Sequence, residues 1–245
     1  WLCRAGCVVV CRDGSEEIFL RAMRRGTAMK KIQPFDIFRL GVFLASLLPL
    51  ARLVWLGMHD GLTANPLEFV TRSTGTWALV FLCLSLSMTP LRRLSGQGYW
   101  LKLRRMLGLY SFFYAVLHVA LWVWIDQGLD PTAMWKDVIK RPFITAGFVA
   151  FVLLIPLAAT STKGMIRRLG RHWVQLHKLV YAIAVAAILH YWWHKAGKND
   201  FGTVSLYALV VFWLLGVRLW WVVRDRYVRV SHPASAACKK SVTDS

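Results

Sequence analysis

Six stretches of this chain, roughly residues 37–57, 75–94, 107–125, 143–161, 173–193 and 203–223, are almost continuously apolar. Each approaches the about 20 residues that an α-helix needs to cross a bilayer. Hydrocarbon offers no hydrogen-bond partners, so a spanning segment must satisfy its backbone groups internally, and an unbroken apolar run of this length does so as a helix. The reading is therefore an all-α, integral membrane six-helix bundle. Composition agrees: 57% of residues are hydrophobic, 18% are charged, and the mean hydropathy is +0.46. That is too apolar for an ordinary soluble domain and excludes a disordered chain. The links between stretches are short and leave no room for a soluble domain, and no tandem repeat is visible.

The charge is strongly positive, with 31 Lys and Arg against 12 Asp and Glu, a formal net of +19. In a soluble protein this excess points to nucleic acid. Here the basic residues lie between apolar runs, so no nucleic-acid partner is expected and the partner implied is membrane lipid. They cluster in alternate links: Arg24, Arg25, Lys30, Lys31 and Arg39 before the first span, and Arg92, Arg93, Lys102, Arg104 and Arg105 after the second. Lys163, Arg167, Arg168 and Arg171 follow the fourth, and Arg224, Arg226 and Arg229 the sixth. The positive-inside rule then puts both termini in the cytoplasm. Paired tryptophans at span ends, such as Trp122 with Trp124 and Trp192 with Trp193, read as an interfacial belt. Arg52 and Arg218, near span ends, read as snorkelling cations, and either could instead neutralise a cofactor carboxylate. Prolines 49, 90 and 156 read as kinks satisfied by neighbouring helices.

Three regions are expected. Residues 1–28 show no lasting periodicity and no signal-peptide pattern. Met29, Lys30 and Lys31 before an apolar run resemble the start of a bacterial inner-membrane protein, so 1–28 are expected to be a non-native or disordered extension. Residues 29–230 form the transmembrane domain, and 231–245 a disordered tail. Cys3, Cys7 and Cys11 are spaced by four but have no His or further Cys nearby, so they are not read as a metal site.

The chemistry is expected at the histidines. His118 lies in the third span, and His177 and His190 in the fifth. Ionisable residues in a spanning helix are costly, and each is a candidate functional group. A neutral imidazole can bind iron at one nitrogen while the other donates to a neighbour, and two on facing helices at one depth can hold a haem. Counted from the cytoplasm, His118 and His190 share the periplasmic half, while His177 lies about 20 Å away along the axis. That separation suits two cofactor levels across the bilayer, and His118 and His190 could hold a haem between them. The lower level lacks a histidine partner, for Arg104 and Arg105 occupy the matching part of the third span. The pair could meet a propionate or a flavin phosphate, or serve only as positive-inside charge. An ideal helix turns His177 and His190 about 220° apart, so either the helix is distorted or the two cofactors are approached from different directions. The other reading of the histidines is a proton relay in a transporter without cofactor, though the six runs contain no central Asp or Glu.

Particular stretches carry a resemblance. RRMLGLYSFFYAVLHV (104–119), RPFITAGFVAFVLLIPLAATST (141–162), RRLGRHWVQLHKLVY (167–181) and LHYWWH (189–194) resemble the haem-binding membrane subunit of the bacterial protein-methionine-sulfoxide reductase system. That family belongs to the ferric-reductase-like transmembrane group. The resemblance covers about residues 32–225. It implies an electron-transfer subunit, not the catalytic one, in the bacterial inner membrane. It implies one or two b-type haems with His118, His177 and His190 at the ligand positions, FMN as a further cofactor, and the family's arginine pair at Arg104 and Arg105. Electrons would come from the quinone pool or a cytoplasmic flavin reductase. They would pass to a periplasmic molybdopterin-containing subunit that reduces methionine sulfoxide in oxidised proteins. A haem-dependent ferric or metal reductase is the nearest alternative.

Overall fold

The computed structural model describes residues 34–59, 61–197 and 200–231. The expected extension over 1–28, the three N-terminal cysteines, and residues 232–245 of the expected tail lie outside them. Among the described residues all regular structure is helical, and six segments are long and apolar enough to cross a membrane: Phe35–Met58, Pro66–Ser95, Trp100–Asp126, Pro142–Ala159, Arg171–Ala196 and Gly202–Tyr227. The six predicted runs are these six segments.

The chain divides into residues 1–41 and 42–245. Of the first unit the described part is the opening of α1 (Pro34–Ala45), where Phe38 and Leu40 are exposed as lipid-facing side chains are.

The second unit begins with the end of α1. Pro49 has no N–H to offer the Ala45 carbonyl, and the helix breaks at Ser46–Leu47 before restarting as α2 (Leu48–Met58). Helix α3 (Pro66–Ser95) opens where Asn65 accepts from the Glu68 N–H at 3.2 Å, and closes at Gly96 with φ 69°. It packs antiparallel along α4 (Trp100–Leu121), stitched by Ser111 Oγ donating to the Ala78 carbonyl and Ser85 Oγ to that of Arg104. The fully buried Tyr114 stacks on Phe81 and donates to the Ser46 carbonyl at 2.9 Å, tying the α1–α2 break to this pair.

After a π-helical turn, Trp122–Asp126, a short helix α5 (Pro131–Lys140) leads into α6 (Pro142–Ala159). Sequence reading gave this connection no helix. Its start signal is present, Asp130 accepting from the Thr132 N–H at 2.8 Å with Pro131 in the first turn. Helices α7 (Lys163–Leu169) and α8 (Arg171–Leu176) follow, then α9 (Leu179–Ala196), packed against α6, and α10 (Gly202–Ser231), packed on α9 and α3. Leu82, Leu86, Ile183, Val211 and Leu214 meet in the core, and Ala184, fully buried, lets the helices approach closely. Phe148, Leu206, Leu209, Phe212 and Trp213 point outward, as they should when lipid is the solvent.

Two further expectations change. Arg218 does not snorkel; it is turned inward and 8% exposed. The fifth span is not one helix, since it breaks at His177–Lys178, where Lys178 and Tyr181 bond three residues back instead of four. The break falls between His177 and His190.

Candidate functional site

His118 lies in the last turn of α4 and His190 in α9. Each ring is held by the opening of another helix. His118 Nδ1 is 2.9 Å from the Thr71 carbonyl of α3, and His190 Nδ1 is 2.7 Å from the Phe143 carbonyl of α6. A carbonyl oxygen only accepts, so both Nδ1 atoms carry the proton. That fixes the neutral tautomer and leaves each Nε2 lone pair for another partner.

A glycine stands beneath each ring. A Cβ on Gly75 would lie 3.0 Å from His118 Nδ1, and one on Gly147 2.7 Å from His190 Nδ1. The two halves repeat each other. Each histidine follows its carbonyl by 47 residues, and His118 and His190 follow Gly75 and Gly147 by 43. The sequence reading found no repeat because no tandem similarity accompanies this one; it is a repeat of two helix pairs, α3–α4 and α6–α9.

The two rings face one cavity of about 690 Å³, within the range of about 300–1,000 Å³ typical of cofactor sites. Their centroids are 6.1 Å apart, with ring planes at 78°. A metal bound by one nitrogen of each ring at about 2 Å would set the centroids about 6 Å apart. Among the described residues no group of three or more His, Cys, Asp and Glu is arranged to hold a metal ion. At this separation the two imidazoles could bind one ion between them, with its other ligands supplied by a bound group. The remaining walls are chiefly apolar, including Leu79, Ala150, Phe151 and Leu154.

Several cavity residues were not singled out from the sequence. His194, one turn beyond His190, lines the wall and packs its ring against Phe143 at 5.7 Å. The i,i+4 spacing from His190 was the available signal. Trp122 also lines the cavity, although its place at a span end reads as an interfacial belt. Trp124 is not among its lining residues and is 71% exposed. Arg72, Arg141 and Lys195 line it too, and each is paired with an acid: Glu68, Asp137 and Asp200 respectively.

His177, Arg104 and Arg105 are not part of this cavity. His177 sits at the break between α8 and α9, half-buried, stacked on Trp173 at 3.9 Å and donating from Nδ1 to the Trp173 carbonyl at 3.1 Å. Arg104 is within electrostatic reach of His177, and its Nη1 donates to Thr89 Oγ1 at 3.4 Å. Arg105 is half-buried beside it in the chain. The structure thus brings His118 and His190 together, and separately brings His177 near Arg104.

Residues 74–188 match the family model of the ferric reductase like transmembrane component. Three similar proteins are each named protein-methionine-sulfoxide reductase heme-binding subunit MsrQ. That of Ralstonia nicotianae is 63% identical over 187 residues, covering 76% of this chain and 86% of the relative. That of Bordetella pertussis is 59% identical over 182 residues, 74% of this chain and 88% of the relative. That of Herminiimonas arsenicoxydans is 52% identical over 199 residues, 81% and 91%. No solved structure gives a significant match. Six apolar helices and these bacterial relatives make the chain a multi-pass protein of the inner membrane. By identity and coverage together, the chain belongs to the MsrQ family of methionine-sulfoxide reductase membrane subunits.

Proposed function

We propose that the cavity holds a b-type haem between His118 and His190 and that the chain is the membrane electron-transfer subunit of a methionine sulfoxide reductase system. The observation that carries the reading is the apposition of the two rings at 6.1 Å, each with its Nδ1 already committed to a carbonyl. The names of the relatives, heme-binding subunits, support it. When bound, the haem supplies a one-electron couple within the bilayer.

The protein's part is positional. His118 and His190 present unprotonated Nε2 atoms, and the Thr71 and Phe143 carbonyls keep them so and raise their basicity. Gly75 and Gly147 leave the room that each ring occupies. Leu79, Ala150 and Phe151 exclude water, which limits the reorganisation that accompanies a change of charge. At the other level His177, with Arg104 and Arg105, serves a second haem or FMN.

In this reading both termini are cytoplasmic, and electrons enter from the quinone pool or a cytoplasmic flavin reductase at the His177 level. They leave from the His118–His190 level to a periplasmic molybdopterin-containing partner that reduces methionine sulfoxide in oxidised proteins. A ferric or metal reductase would use the same haem site and differ in the acceptor; the matched family model favours keeping it as the second reading. Reconstituted protein, reduced at the flavin or quinone side, should pass electrons to the methionine sulfoxide reductase catalytic subunit and far more slowly to ferric chelates. The reverse preference would select the metal reductase.

A further inference from the structure

Among the described residues the most deeply buried charged side chain is Arg218, in the middle of α10. Its surroundings account for two of its three nitrogens. Nη2 donates to the Leu86 carbonyl, which α3 itself leaves unused because the residue four positions on is Pro90, with no N–H. Nη1 donates to Tyr181 Oη at 3.0 Å, with the guanidinium 5.4 Å from the centre of the Tyr181 ring. Both acceptors are neutral. Nε is buried and has no partner.

A second cation lies within electrostatic reach. Arg104, half-buried on α4, donates from Nη1 to Thr89 Oγ1 at 3.4 Å and acts at a distance on Arg218, Tyr181 and His177. Among the described residues neither arginine forms an ion pair. The acid at that end of α10, Asp225, is taken by Arg93 at 2.8 Å and Arg224 at 3.6 Å. The cations of the haem cavity present the contrast, since each of those has its carboxylate. A buried guanidinium with a second cation in reach and no anion is unfavourable, and one anionic group at its free Nε relieves it.

We propose that Arg218, with Tyr181 beside it and Arg104 within electrostatic reach, forms a seat for one anionic oxygen group, a carboxylate or a phosphate, on the level of His177. The seat rests on the charges alone; only the source of the anion rests on the second cofactor level proposed above. A carboxylate would come from a tetrapyrrole side chain, and a phosphate from flavin mononucleotide or a phospholipid.

The test compares detergent-purified full-length protein with its Arg218→Gln, Arg218→Lys and Tyr181→Phe variants. Haem, released flavin and tightly bound phospholipid are each quantified per chain. Arg218→Gln should lower retention of one of these groups about tenfold or more, the cost of a lost charge-assisted contact. Arg218→Lys should restore part of it, and the spectrum of the His118–His190 haem should not change. Loss of a second haem identifies a carboxylate; loss of flavin or phospholipid identifies a phosphate. A folded Arg218→Gln protein with the wild-type complement of all three would overturn the seat. Should that variant fail to insert, wild type and Tyr181→Phe decide. A wild type with a single haem, no flavin and no retained phospholipid overturns the seat, as does a Tyr181→Phe protein that retains every group as tightly as wild type. A protein without any haem contradicts the electron-transfer reading, while bound phospholipid or flavin still reads the seat.

Discussion

Gly147 and His190 are so close that a Cβ on the glycine would stand 2.7 Å from the imidazole Nδ1. Backbone freedom does not explain this glycine, which lies within α6. Alanine there would favour the helix by about 0.5–1 kcal/mol. The ring needs the space. Gly147→Ala should push His190 off the Phe143 carbonyl and weaken haem retention by about 10–100-fold, as loss of a group that orients a ligand does. Gly75→Ala, with its Cβ at 3.0 Å from His118, should do the same to a smaller degree. Haem per chain in the folded, membrane-inserted fraction checks both: haem should fall while insertion is retained.

The histidines should separate by level. His118→Ala and His190→Ala each remove a ligand of one haem, and in both the corresponding spectral signal should vanish with membrane insertion intact. His177→Ala should leave that signal in place and alter the second cofactor. Low-temperature spectra of the three variants would show this. Equal loss in all three would refute the two-level arrangement.

The α1–α2 break hangs on a buried hydroxyl. Tyr114 Oη donates to the Ser46 carbonyl from a fully buried position, so Tyr114→Phe leaves that acceptor without its partner. The expected loss of stability is about 1–3 kcal/mol. Unfolding of wild type and variant in the same detergent would measure it, and haem content should be unchanged in the folded fraction.

One loop carries a defined pH response. Asp130 accepts from Thr132 Oγ1 at 2.7 Å and from the Thr132 N–H at 2.8 Å, and these bonds hold its carboxyl below the ordinary 3.8. Its folded value is depressed, so its contribution is fully present above the ordinary carboxylate value and is lost as pH falls through the lowered one. Carboxyl resonances should show Asp130 titrating below 3.8. Thr132→Val, which removes the larger of the two causes, should move the titration upward.

Legibility in the sequence followed the physics of each feature. The spans were readable because hydrocarbon imposes one solution on a long apolar run. The pairing of His118 with His190 was readable because depth along a helix follows from residue count. The glycine seats were not, since a glycine in an apolar run reads as a small residue until the ring above it is known. Arg218 was left between two readings for a similar reason. A snorkelling cation and a buried one occupy the same place in a sequence, and what turns this one inward is a carbonyl freed by Pro90 on another helix. Helix α5 escaped because its ten residues fall far short of a span, although Asp130 and Pro131 marked its start.

The central claim is tested most directly by a reduced-minus-oxidised spectrum of the detergent-purified protein and of its His118→Ala and His190→Ala variants, with haem quantified per chain. The account predicts a b-type spectrum in the wild type and loss of the same haem in both variants. A wild type without haem after expression with ample haem supply, or variants that keep the full wild-type complement, would contradict it.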